Sequence, residues 1–444
     1  MRFIQTLKNI WKIDDLRTRI LITIGFVAVY RFGSFVILPG VNPEHLVALR
    51  NSASGGLLGL LDMFSGGAFS NASIFALGIM PYISASIVMQ LLGIAIPYFQ
   101  KLQREGESGR TKMNQYTRYL TVAILLMQGP AYLYGAIRQA IPGGFWDWVL
   151  PATIILAAGS MFVLWLGERI TDKGVGNGIS FIILIGIIAR LPDALVGEID
   201  RLFNAPGGLI LFLIEIVFLL FVTGFAIMLV QGTRKVPVQY AKRIVGNKQY
   251  GGVRQYIPLK VNAANVMPII FAQAIMFIPI TLAQFTAKEG GGFFAQLFAP
   301  LMNSNSFAYN LVFALLIIAF TYFYTAITVN PTQMAEDLKR NNGFIPGVKP
   351  GKRTAEYIDT IMSRITLPGS ILLAIIAILP AIASLFDINN QFAHFFGGTS
   401  LLILVGVVLD TLQQIESHLL MRHYDGFLKS GAKIKGRTGS MAAY

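Results

Sequence analysis

Ten runs of this chain are long and apolar enough to cross a lipid bilayer: 20–38, 74–97, 119–137, 150–166, 179–195, 208–230, 264–285, 307–329, 367–386 and 399–412. A helix rises ~1.5 Å per residue and the hydrocarbon core is ~30 Å thick, so about twenty apolar residues reach across it. Lipid offers the backbone no hydrogen-bond partners. Each run must satisfy its own amides, and a helix does this within one segment. The fold class that follows is an all-α polytopic membrane protein. Composition agrees: 54% of the 444 residues are hydrophobic and only 13% are charged.

One stretch departs from the pattern. Residues 57–92 read LLGLLDMFSGGAFSNASIFALGIMPYISASIVMQLL. The first apolar part ends at Gly66 and Gly67, polar Ser70, Asn71 and Ser73 follow, and a second apolar run starts at Ile74. About ten residues cover roughly half of the hydrocarbon core. A half-helix is tolerated at that depth only where protein buries it or a wet cavity adjoins it. The stretch therefore predicts a half-helix over about 57–71, a full span from Ile74, and a cavity within the membrane. Gly66 and Gly67 are read either as a hinge or as sites of close packing.

Charge sets the orientation. With ten spans both termini lie on one side, and 30 of the 36 Lys and Arg residues then fall on that face. They occupy an amphipathic arm (1–19), the connections 98–118, 167–178, 231–263 and 330–366, and a basic tail (417–444 within 413–444). The positive-inside rule makes this the cytoplasmic face. The arm lacks a short apolar core with a small-residue cleavage site, so it does not read as a removable signal. Two basic connections read either as topology charge alone or as a docking surface for a large cytosolic partner. Residues 232–259 alternate apolar and basic around Gly246-Asn247, as a hairpin does, and 334–358 brackets its bases with Pro and Gly turns. Both are expected to project from the membrane as structured, positively charged surfaces. The spans divide into five and five (20–198 and 199–416), which suggests inverted halves with a path between them.

The chain carries no recognisable catalytic apparatus. No GxxxxGK[ST] is present, GVGNG at 174–178 lacks the setting of a dinucleotide fingerprint, there is no Cys, and the four His are scattered. Neither an enzyme, a cofactor nor a metal site is expected. Arg31, Glu215 and Asp410 are charged groups inside spans, with Glu215 expected to reach an interface or a polar neighbour. Ile79 and Ile83, and likewise Ile179 and Ile183, are four apart and share a helical face. Stiff β-branched side chains of this kind can close a pore by dewetting, although most isoleucines in spans face lipid or core.

SGGAFSNASIFALGIMPYISASIVMQLL with KLQREGESGRTKMNQYTR resembles the SecY family, the pore subunit of the bacterial Sec protein translocase. The likeness continues through LGERITDKGVGNGIS, VQYAKRIVGNKQYGGVRQYIPLKVN, GFIPGVKPGKRT and GGTSLLILVGVVLD, so it covers nearly the whole chain. The resemblance implies a central pore in the plasma (inner) membrane, passing unfolded secretory chains across and apolar segments sideways into lipid. It implies a plug that includes Leu60, Leu61, Asp62, Met63, Phe64, Ser65, Gly66 and Gly67. It implies a pore ring of Ile79, Ile83, Ile179, Ile183, Ile270 and Ile403, and a lateral gate of the second, third, seventh and eighth spans. Docking to the SecA motor ATPase or the ribosome is implied for Arg243, Arg254, Lys349, Lys352 and Arg353, and SecE and SecG are implied partner subunits. Lys349 stands where the family usually has arginine, and Arg353 lies four residues on; either can fill that role. The alternative reading of broken helices in paired halves is an ion-coupled secondary transporter.

Overall fold

The computed structural model describes residues 13–42, 46, 59, 62–137, 144–203, 208–240, 243–245, 248–250, 254–286, 306–386, 388–395 and 397–429. Ten helices serve as the spans. The first half contains α1 (Asp14–Gly33), α2 (Met80–Ala95), α4 (Glu107–Ala136), α5 (Leu150–Lys173) and α6 (Gly178–Phe203). The second contains α7 (Gly208–Gln231), α8 (Met267–Thr286), α9 (Phe307–Thr328), α11 (Lys352–Ser384) and α13 (Gly398–Lys429). Short helices α3 (Pro97–Arg104), α10 (Pro331–Arg340) and α12 (Asn390–Ala393) lie between them. Large apolar side chains such as Leu209, Phe221, Phe307 and Leu315 point outward. In a bilayer that face meets hydrocarbon rather than water.

Within the first half, α5 packs on α1, α4 and α6, and α4 packs on α2. In the second, α9 packs on α8 and α11, while α13 packs on α7 and α11. The halves meet along two lines: α6 against α7 and α13, and α2 against α8. An apolar core runs along the seam. It joins Tyr30, Phe75, Ile182, Ile183 and Ile187 of the first half to Phe392, Phe395, Ile403 and Val407 of the second.

Helix boundaries differ from the hydropathy boundaries in instructive places. The expected span from Ile74 does not begin there: 65–79 run in turns and the helix starts at Met80. Ala72 and Gly78 have φ of 45° and 53°, values outside any right-handed helix. Of the expected half-helix, 57, 58, 60 and 61 lie outside the described residues and 65–71 run in turns. Asp62–Phe64 are helical and Ser65 onward is not. After Ala95 the chain bends by 103° into α3. Pro97 lacks an amide donor, and Ile96 before it is extended at φ −109°, ψ 122°, so the ladder stops there.

The expected arm gives residues 14–19 to α1, and the expected outer connection gives 198–203 to α6. Helix α11 starts at Lys352, so Lys352 and Arg353 are its first two residues. At 33 residues it is longer than a crossing needs.

The expected hairpin is present. β1 (Thr233–Tyr240) pairs antiparallel with β4 (Arg254–Lys260), from Thr233 opposite Lys260 to Gln239 opposite Arg254. β2 (Arg243–Val245) and β3 (Lys248–Tyr250) pair antiparallel as a separate two-stranded sheet, and Gly246 and Asn247 lie outside the described residues. β5 (Gly343–Phe344) of the other basic connection adds to the free edge of β1. Val236, Val238 and Leu259 of the sheet pack on Leu338 of α10 and Ile358 and Met362 of α11. One small core thus unites two connections, 232–259 and 334–358, that 74 residues of sequence separate.

Candidate functional site: a turn-rich segment over an isoleucine cluster

Helix α6 supplies one wall. Ile179, Ile183, Gly186 and Arg190 recur at three- and four-residue spacing and therefore share one stripe. Helix α2 supplies a second wall. Ile79 caps it, and the Ile83 amide donates to the Ile79 carbonyl at 3.1 Å, so both side chains face one way. Ile270 comes from α8 and Ile403 from α13. Ile79, Ile183 and Ile403 are buried, Ile83, Ile179 and Ile270 are half-buried, and all six belong to the seam core. Met63 and Phe64 belong to it too.

Above this cluster the segment 65–79 folds back without a helical ladder. Its carbonyls would be orphaned in an apolar surround, and an unpaired buried carbonyl costs about 1–3 kcal/mol. Neighbouring helices satisfy them. Tyr30 of α1 donates its hydroxyl to the Ser65 carbonyl (3.1 Å), and Arg31 donates Nη1 to the Gly66 carbonyl (2.8 Å). Tyr132 of α4 donates to the Phe69 carbonyl (2.7 Å). Further along, the Leu38 amide donates to the Ala72 carbonyl and the Ile74 amide to that of Val36, a bridge that pins the far end.

Asp62 organises the near end. Its Oδ1 accepts from the Ser70 amide (2.8 Å), and its carbonyl accepts from the Gly67 amide (2.9 Å). Its Oδ2 pairs with Arg190, whose Nη2 also donates to the Ser70 hydroxyl (2.7 Å). Gly66 and Gly67 have φ of 64° and 91°, a region that costs other L-residues roughly 1–2 kcal/mol. A Cβ on Gly66 would meet the Gly186 Cα at 2.9 Å, and one on Gly186 would meet the Phe64 carbonyl at 2.6 Å. Here the glycines serve close packing as well as unusual backbone.

The other expected positions are distributed as follows. Leu60 and Leu61 lie outside the described residues. Arg243 is on β2 and Arg254 opens β4. Lys349, Lys352 and Arg353 are exposed, and the Lys349 carbonyl accepts from the Thr354 hydroxyl (3.0 Å), which ties that turn to the start of α11. Glu215 meets Arg201 at 3.3 Å, the polar neighbour expected of it. Among the described residues no three metal-ligating side chains converge.

Three groups escaped the sequence reading. Arg190 lies inside the run 179–195 and carries the same signal as Arg31, a charge at membrane depth. Asp62 had been placed in the segment but given no partner. Glu198, placed by hydropathy in an outer connection, is fully buried on α6.

A model of the SecY family matches residues 73–412. The Protein translocase subunit SecY of Streptomyces coelicolor is 42% identical over 433 residues, covering 94% of this chain and 98% of the relative. The chain belongs to the SecY family. Two solved structures share the SecY-type fold. One is described by its SecY plug domain, which stabilises the closed state of the translocation channel and maintains a membrane seal. It aligns with TM-score 0.63 and 18% identity over 94% of this chain and 95% of that one. The other is Sec61 in a canine ribosome–channel complex, with TM-score 0.59 and 16% identity over 94% and 95%. The ten-helix multi-pass membrane fold is therefore that of the family.

Proposed function

We propose that this chain is the channel subunit of a protein translocase. It passes unfolded polypeptides across the membrane and releases apolar segments sideways into lipid. The observation that carries the reading is the single apolar cluster of Ile79, Ile83, Ile179, Ile183, Ile270 and Ile403, contributed by four helices of both halves and covered by the segment holding Met63 and Phe64. A pore that admits side chains of every kind has no use for a hydrogen-bonding filter. An apolar collar deforms around a passing chain and excludes water and ions when it is empty. Residues 57–71 are the plug over that collar. Family membership counts against an ion-coupled transporter, as does the lack of a compact polar site among the six isoleucines.

Sideways release uses the line where α2 meets α8. Ile83, Ile87 and Leu91 pack there on Met267, Phe271 and Ala274, an apolar contact that parts readily for an apolar segment. Each Leu, Ile, Phe or Val then gains ~0.3–0.6 kcal/mol in lipid. With no nucleotide motif, the chain takes its energy from a partner, the SecA ATPase or a translating ribosome. The sheet β4-β1-β5, the strand pair β2-β3 and the turn into α11 form the docking surface, with Arg243, Arg254, Lys349, Lys352 and Arg353 as its bases. SecE and SecG complete the complex in the bacterial inner membrane, with both termini and the basic face in the cytoplasm.

Reconstitution into vesicles with SecE and SecA tests this. A secretory precursor supplied with ATP should become protected from external protease; absence of protection defeats the reading. In the same vesicles Ile83→Asn and Ile183→Asn should raise resting ion leak several-fold. Unchanged conductance in both would remove those residues from the seal.

A further inference from the structure

Arg190 has no place in a seal made only of apolar side chains, yet it sits one helical turn beyond the tightest contact between wall and plug. Seven residues separate it from Ile183 on the same stripe of α6, about 10 Å along the axis. Its guanidinium reaches both ends of the turn: the Asp62 carboxylate and the Ser70 hydroxyl. The Asp62 side chain is 9% exposed and that of Arg190 26%. A carboxylate so enclosed is costly without its cation, since removing one partner of a buried pair leaves an uncompensated charge. Asp62 also holds the turn itself through the Ser70 amide. One carboxylate therefore both shapes the plug and fastens it to α6.

We propose that Asp62 and Arg190 are positioning residues that latch the plug in the closed channel, and that hydration of their seat by an entering chain releases it. This rests on reading 57–71 as the plug. The physical ground is that Coulomb attraction scales inversely with the local dielectric. In the dry closed state the pair is strong and excludes water from its own surround. When a polypeptide wedges the halves apart, water reaches the pair, the attraction falls, and each ion regains its hydration. Tyr30, Arg31 and Tyr132 contribute hydrogen bonds to backbone carbonyls, which water replaces in the same way. The latch thus reinforces a closed channel and weakens as soon as the channel is wet.

Conductance across planar bilayers, with the full-length chain in its purified complex, tests the latch. Asp62→Asn keeps the shape and removes the charge; Asp62→Glu changes the shape and keeps the charge. A packing role tolerates Asn and suffers from Glu. The latch demands the reverse: Asn should raise resting leak about tenfold, equivalent to ~1.4 kcal/mol, and Glu should stay within about twofold of the parent. Arg190→Gln should leak like Asp62→Asn, and the two together no more than either alone, because both break one interaction. Arg190→Lys, which also keeps the charge, provides a second comparison if Arg190→Gln assembles poorly. Deletion of 62–70 separates the two readings. If the deletion leaks and the charge variants do not, the latch is wrong and the plug stands. If the deletion is also tight, both fall.

Discussion

Gly66 shows how much a single residue carries at the seal. Its φ of 64° suits glycine, and its missing side chain lets the Gly186 backbone of α6 approach. Alanine there incurs a left-handed backbone penalty of roughly 1–2 kcal/mol, and its Cβ would also collide with the Gly186 Cα at 2.9 Å. Gly66→Ala should therefore lower the unfolding temperature of the detergent-solubilised chain by several degrees and raise resting leak. An unaltered melting curve would mean that the segment is held less tightly than these contacts imply. The Gly-Gly pair was visible in the sequence as a break in the apolar run. Its tight approach to Gly186 was not, because nothing local to 66–67 names a partner on α6.

At the scale of elements, the basic connections become a folded surface because they share a core. Alternation of apolar and basic residues was enough to predict the β1–β4 hairpin, since a period of two places one set of side chains on one face. The addition of β5 and the packing of Val236 and Val238 on α10 and α11 were not predictable from that period. Val238 is fully buried, and a carboxylate there would lack a partner. Val238→Asp should cost several kcal/mol within this small core. It should abolish binding of the motor or ribosome while leaving the resting leak unchanged. A variant that still binds with parental affinity in a co-sedimentation assay would show that docking does not need the sheet. The failed helix at 74–79 belongs to this scale too. Hydropathy reports burial, and Phe75, Ala76 and Ile79 are buried; it does not report that the backbone there runs in turns, with the Ile74 amide held by the Val36 carbonyl.

In the whole molecule the two halves are tied away from α2 and α8 by a buried acid. Glu198 of α6 accepts from the Asn389 amide of the second half (2.9 Å) and meets Arg201 at 2.5 Å, while Arg201 also reaches Glu215 of α7 at 3.3 Å. Truncating Glu198 leaves the Asn389 amide without its acceptor, at about 1–3 kcal/mol for the orphaned buried donor, and leaves Arg201 with Glu215 alone. Glu198→Ala should reduce the thermal stability of the solubilised chain, whereas Glu198→Gln, which can still accept from Asn389, should recover part of it. Equal melting temperatures for all three would show that the halves are held by apolar packing alone.

Sequence alone was enough for the ten spans and the hairpin, because each depends on hydropathy or alternation read along a continuous segment. It also carried the family likeness that named the six isoleucines, which spacing by itself did not single out from lipid-facing ones. Only the tertiary structure decided which groups meet at depth: Asp62 with Arg190, 128 residues apart, Glu198 with Asn389, and the carbonyls of 65–69 with Tyr30, Arg31 and Tyr132. Those pairings follow from a shared physical demand. A backbone that leaves its helix inside a membrane must find donors on other segments, and which segments supply them is set by how the helices pack.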